Sequence, residues 1–343
     1  MATLAKRVSD LEAWKSAHIS GHVLSGHTHP GDATDADVAA LDRRIDELEA
    51  APVIEPTPAP APAPSTGTSV AVSAISGTSG LLAALTENAN TEIVVADKRY
   101  AVAGATQRDA NSLWIGASTV ARTNPVLVRA QTTGGVTFDG GGARWWVGLG
   151  FMEGAHHQTW QGFHFANAEP TSTGVVTFGG YADKAGAHHI TLRDITVEGS
   201  IVSQSGPGVY LDHALYFSES SDGVHDVLID GWTVDGSGLL DSGIQFYSEA
   251  GKINARNVTI RHARITGTEM AIIFWASGLR DIVIEDSTVT RATRFAVRYE
   301  GSGTNVVLRR VTSSASGQRG FYSGAGNVLT LDGCAYNGEF ALT

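Results

Sequence analysis

Between Arg256 and Ala335 apolar and polar positions alternate in short runs that return at a near-constant interval. The segments Arg256–Ile260 (RNVTI), Arg280–Ile284 (RDIVI), Thr304–Leu308 (TNVVL) and Gly326–Leu331 (GNVLTL) are variations on one line. Val258, Ile282, Val306 and Val328 take equivalent places, 24, 24 and 22 residues apart. A fixed period in this range signals stacked supersecondary units. Alternation predicts a strand with one buried face. Each run opens with Asn or Asp, which tolerate the left-handed corner conformation. A strand and a corner repeating in this way describe the coils of a right-handed parallel β-helix.

The pattern continues towards the N-terminus with longer coils, at His225–Ile229, His188–Leu192 and His156–Trp160. The corner position then reads His157, His189, Asp226, Asn257, Asp281, Asn305, Asn327. A second strand follows in each coil, marked by Phe163/Phe165, Ile195/Val197, Trp232/Val234, Ile265 and Val289. A third ends in an aromatic at Phe178, Phe217, Phe246, Phe274, Tyr299 and Tyr322. Three columns in one register predict an all-β body over residues 68–343. Its open end is expected to carry a capping helix with Leu81, Leu82 and Leu85, started by Thr78 or Ser79, and then a first strand at Thr91–Ala96.

Ahead of the body the periodicity changes to seven. Leu4, Val8 and Leu11 form a short heptad seam, and Val38, Leu41, Ile45 and Leu48 take a and d positions after a Thr34 cap. Residues 1–50 are therefore expected to be an α-helical coiled-coil stalk. β-branched residues at a with Leu at d, alone, lean towards a dimer. Between the two helices lies Gly-His-Thr-His-Pro-Gly-Asp, where an extended backbone puts His27 and His29 on one side. Three chains about an axis would bring six imidazoles together, an octahedral set suited to a transition metal such as Fe or Zn; the alternative is a solvated polar turn. Residues 51–67, rich in Pro and Ala, predict a stiff extended linker.

Composition narrows the function classes. A net charge of −11 argues against nucleic-acid binding. No apolar run is long enough for a membrane-spanning helix. Lys6, Arg7 and Asp10, with no apolar run behind them, predict the absence of a signal peptide. The single cysteine, Cys334, excludes an internal disulfide framework and is expected to be a buried inert thiol.

The Gly26–Asp32 run resembles the His-x-His element of bacteriophage tail fibres, and residues 75 to 340 resemble the pectin-lyase-like β-helix superfamily. The first resemblance implies a homotrimeric fibre or tailspike with a metal held by His27 and His29. It also implies a virion location and attachment to other tail or baseplate proteins through the N-terminus. The second is a fold-level likeness and carries no reaction.

Candidate chemistry lies on the third strand. With Phe217, Phe246, Phe274 and Tyr299 inward, their neighbours point outward as two columns: Tyr216, Gln245, Ile273, Arg298, and Ser218, Tyr247, Trp275, Glu300. Tyr216, Tyr247 and Trp275 are then exposed rings on a flat face, beside polar groups, which is how sugar rings are gripped; the alternative is that loops cover them as a second core. Five residues before the inward aromatics stand Asp212, Asp241, Glu269 and Arg294. Stacked carboxylates can divide the roles of acid and base, as glycoside hydrolysis requires. A lyase would instead set a base beside Arg294 or Arg298. Otherwise these are solvated loop acids or a Ca²⁺ site. The column His156, His188, His225, Arg256, Arg280 is a mildly basic edge that either faces an anionic glycan or is merely solvated. Three functions remain open: a receptor-binding protein for host-surface polysaccharide, a polysaccharide depolymerase, and a purely structural tail part.

Overall fold

The structure, a computed structural model, describes most of residues 67–343; residues 1–66, 102–112 and 200–211 are the longest stretches outside it. The expected stalk (1–50), the linker up to residue 66, and His27 and His29 lie outside the described residues. What is described is all-β apart from one short helix, Leu81–Thr86. No described helix is long and apolar enough to cross a membrane.

The strands form two sheets, one of seventeen strands and one of nine, and every pairing is parallel. Each coil gives two strand segments to the larger sheet and one to the smaller. Parallel returns within one sheet wind in the right-handed sense in nearly all cases, because a right-twisted strand feeds its connection back that way. The three expected columns hold. Ile190, Val227, Val258, Ile282 and Val306 are successive partners. Ile195 pairs with Trp232, and Val234, Ile265 and Val289 follow one another. Phe178, Phe217, Phe246, Phe274 and Tyr299 run down the third column and are wholly buried.

Three expectations need correction. Val306 pairs with Leu329, so the last coil is one residue out of the expected register at Val328. Arg298, not Tyr299, pairs with Tyr322, which puts Tyr322 in the outward column. The first strand is Thr68–Val72, paired with Asn90–Val95, and the helix between them starts at Gly80 with no side-chain cap.

The corners explain why Asn, Asp and His recur. His157, His189, Asp226, Asn257, Asp281 and Asn305 all have φ between 51° and 57°. A left-handed residue costs an ordinary side chain about 1–2 kcal/mol, which short polar side chains offset by local hydrogen bonds. Asn257 donates from Nδ2 to Asp226, and Asn305 to Asp281 Oδ1 at 2.8 Å.

Inside, like stacks on like. Rings are 5.0 Å apart for Phe151–Phe178, 4.9 Å for Phe178–Phe217 and 4.4 Å for Phe217–Phe246. That is the coil spacing of parallel strands, so the ladder adds aromatic attraction to burial. The helix covers the N-terminal end with Leu81, Ala84 and Leu85. Buried Arg122 holds it there by donating from Nη1 to the carbonyls of Leu85 and Glu87 at 2.8 and 3.0 Å. Cys334 lies just outside a strand and packs half-buried against the core, its thiol pushed up by burial.

Candidate functional site

Simple alternation along the third strand breaks down at one place. Ladder pairs are missing at Ala214, Gly243 and Ala271, although the residues on either side pair in register. A Cβ on Gly243 would meet Ile265 Cγ2 at 2.5 Å, so Gly243 faces the core, as does its neighbour Ile244. Two consecutive inward residues kink the strand. Residues three positions apart therefore share the outer face: His213 with Tyr216, Ser242 with Gln245, Met270 with Ile273, Phe295 with Arg298.

This places the expected residues unevenly. Tyr247 and Trp275 are exposed, at 37% and 42%, and are direct cross-strand neighbours. Their rings meet edge to face with centroids 6.5 Å apart. The Arg298 guanidinium lies over Trp275 and over Phe295, 5.5 and 5.4 Å from the ring centres. Its Nη2 donates to Glu300 Oε2 at 2.7 Å. Aromatic, cation and carboxylate thus form one patch.

Tyr216 does not join them on the surface. It is mostly buried, stacked on His213 at 5.1 Å and on Tyr247 at 6.3 Å, and burial pushes its hydroxyl well above the ordinary tyrosine value. Gln245 is buried too, at 4% exposure. Both point outward and are covered by their neighbours, Tyr216 by the rings of His213 and Tyr247. Met270, Ile273 and Phe295 are also buried, with Tyr322 against them, as a small second core on the outer face. A second core was the alternative reading of this face, and it holds for these columns but not for Tyr247 and Trp275.

The acidic column has the expected backbone register: Met270 N–H donates to Asp241 O, and Arg294 N–H to Glu269 O. The side chains differ. Asp241 is buried, at 7% exposure. Glu269 is part-buried with Arg294 Nη1 3.6 Å from Oε1. Burial raises its carboxyl above the usual value, because the pair is too long to offset lost hydration. The Asp212 side chain lies outside the described atoms.

Residues that sequence alternation did not single out hold the patch in place. Buried Asn254 donates from Nδ2 to the carbonyls of Phe217 and Tyr247, at 2.9 and 2.7 Å, and so fixes the backbone at the exposed tyrosine. Ser248 Oγ accepts from Ser277 N–H at 2.8 Å just beyond Trp275. His213 is sealed beneath, Nδ1 2.8 Å from Ser242 Oγ, and burial lowers its pKa to about 3. The signal for its outward direction was the column of small residues Ala214, Gly243, Ala271 and Ala296. A cleft of about 490 Å³ lies elsewhere, on the larger sheet, lined by Asp194, Thr233, His262 and Arg264 among others. It has no aromatic wall to hold a ring.

The molecule is thus a right-handed parallel β-helix whose smaller sheet carries two exposed aromatic rings beside a part-buried ion pair. No family model and no curated protein sequence matches the chain. Among solved structures it is similar to a mannuronic acid-specific polysaccharide lyase of family 6 from human gut microbiota. The TM-score is 0.54 at 11% identity, over 78% of this chain and 59% of the enzyme. The chain spans well under two thirds of that enzyme's length, and a likeness at this identity shows the fold.

Proposed function

We propose that this chain is a homotrimeric phage tail fibre or tailspike whose β-helix binds a host-surface polysaccharide during adsorption. The observation that carries the glycan reading is the exposed Tyr247–Trp275 pair beside the Arg298–Glu300 ion pair. Aromatic faces pack on the C–H surface of a sugar, and the charged pair supplies donors and acceptors to its hydroxyls. The phage reading rests on sequence order: heptad stalk, His-x-His element, proline spacer, β-helix. In it, the N-terminal residues join three chains, hold a metal at His27 and His29, and dock other tail or baseplate proteins in the virion.

The test mixes intact protein with purified host-envelope polysaccharide and follows co-elution. Replacing Tyr247 and Trp275 together by Ala should weaken binding by about tenfold or more, since central aromatic contacts are worth about 2 kcal/mol. Unchanged co-elution of the double variant would end this reading. No glycan binding by folded wild-type protein would favour a purely structural tail part.

A depolymerase on the same face is the second reading. It is supported by the raised carboxyl of Glu269, one coil from Asp241, with Arg294 beside it. Burial that raises a carboxyl's pKa favours the role of general acid over that of base. Here the glycan shortens over hours, and Asp241→Asn or Glu269→Gln abolishes the shortening. Cleavage that survives both substitutions removes the Asp212–Asp241–Glu269 assignment.

A further inference from the structure

The larger sheet carries a histidine cluster that the glycan reading does not use. His156, His188 and His225 are successive partners, with rings stacked 5.0 and 4.9 Å apart and nearly parallel. Beside them runs the corner column, where His157 stacks on His189 at 4.9 Å and Asp226 follows. His189, His225 and Asp226 each place one ligand atom within 4.8 Å of the others. His189 Nε2 is 3.8 Å, and His225 Nδ1 2.8 Å, from the same oxygen, Asp226 Oδ2.

We propose that His189, His225 and Asp226 form a divalent transition-metal site that staples two successive coils of the β-helix. Two imidazoles and one carboxylate suit Zn²⁺ or a neighbouring first-row ion; Ca²⁺ and Mg²⁺ demand more oxygens. The surroundings fit a ligand set. Asn257 Nδ2 donates to Asp226 Oδ1, which fixes the carboxylate and leaves Oδ2 for the metal. His188 Nδ1 lies 2.8 Å from His189 Nδ1, a contact that shares one proton. With that proton on His189 Nδ1, His188 accepts it and His189 Nε2 presents its lone pair. Such an outer partner orients a metal-ligating histidine. His225 gives up the hydrogen bond to Asp226 when the metal enters and takes the tautomer with its proton on Nε2, so that Nδ1 presents its lone pair. The half-exposed His189 leaves one side open to water as a fourth ligand.

The site is tested on the full chain with His18, His22, His27 and His29 all replaced by Ala, so that the N-terminal histidines cannot answer for it. Zn²⁺ is titrated against a chromophoric chelator and its content measured after gel filtration. About one Zn²⁺ per chain should remain bound, and it should raise the melting temperature. Adding His189→Asn or Asp226→Asn should weaken binding at least about tenfold. Both substitutions place Asn at a left-handed corner, as Asn257 and Asn305 do in the native chain, so the coil keeps its conformation. That background variant binding no Zn²⁺ overturns the proposal without recourse to further variants. Equal affinity after His189→Asn and Asp226→Asn overturns it as well.

Discussion

A histidine sealed from water keeps its proton off, and His213 does so down to a pH of about 3. Its unfolded counterpart takes up a proton near pH 6.5. Folding therefore favours the neutral form. The contribution is complete above about pH 6.5 and is lost as pH falls from there towards 3. His213→Asn should flatten the fall of unfolding free energy between pH 6 and 4 by up to about 1.4 kcal/mol per pH unit. Denaturant titrations at each pH measure it, and identical slopes would show that His213 is not the group responsible. Arg122 is the opposite case, a buried charge kept because it has work for its donors. It meets the carbonyls of Leu85, Glu87, Asn90 and Asn124. Arg122→Met keeps the stem and strands those acceptors. A loss of about 3 kcal/mol is expected in thermal or urea unfolding.

At the scale of the element, the corner decides each coil. Asn257 combines a left-handed backbone with a bond to Asp226. Asn257→Gly removes only the bond; Asn257→Ala removes the bond and adds about 1 kcal/mol of backbone strain. Melting temperatures should fall in the order wild type, Gly, Ala, and equal values for the two variants would deny the strain. These corners were legible in the sequence because the constraint acts on one residue at a fixed place in every coil. The inward columns were legible for the same reason. The outward face was legible only in part, because the direction of His213, Ser242, Met270 and Phe295 depends on a kink at Ala214, Gly243 and Ala271 that strict alternation does not contain. Tyr216 and Gln245 point outward as parity requires but are covered, Tyr216 by its stacks on His213 and Tyr247. Tyr247 and Trp275 lie beyond the kink next to the inward aromatics, and there parity held. The one-residue slip at Leu329 follows from the side chains themselves: Leu329 and Leu331 turn two leucines to the core, where the other register would turn Val328 and Thr330.

For the whole molecule, the proposed trimer makes a direct demand on mass. Light scattering of the intact protein should give about three times the 35.9 kDa chain; a monomer would end the fibre reading while leaving the body's fold untouched. That independence has a structural root. The spacing between matched residues differs greatly from coil to coil, being long from Ile190 to Val227 and short from Val306 to Leu329, yet the inward columns stay aligned. Lengthening a surface connection costs little, since each doubling adds only about 0.6 kcal/mol of closure entropy. Segments hung between coils can therefore be exchanged, extended or discarded while every core residue stays where it is. Such a body can change what it displays over generations without having to relearn how to fold.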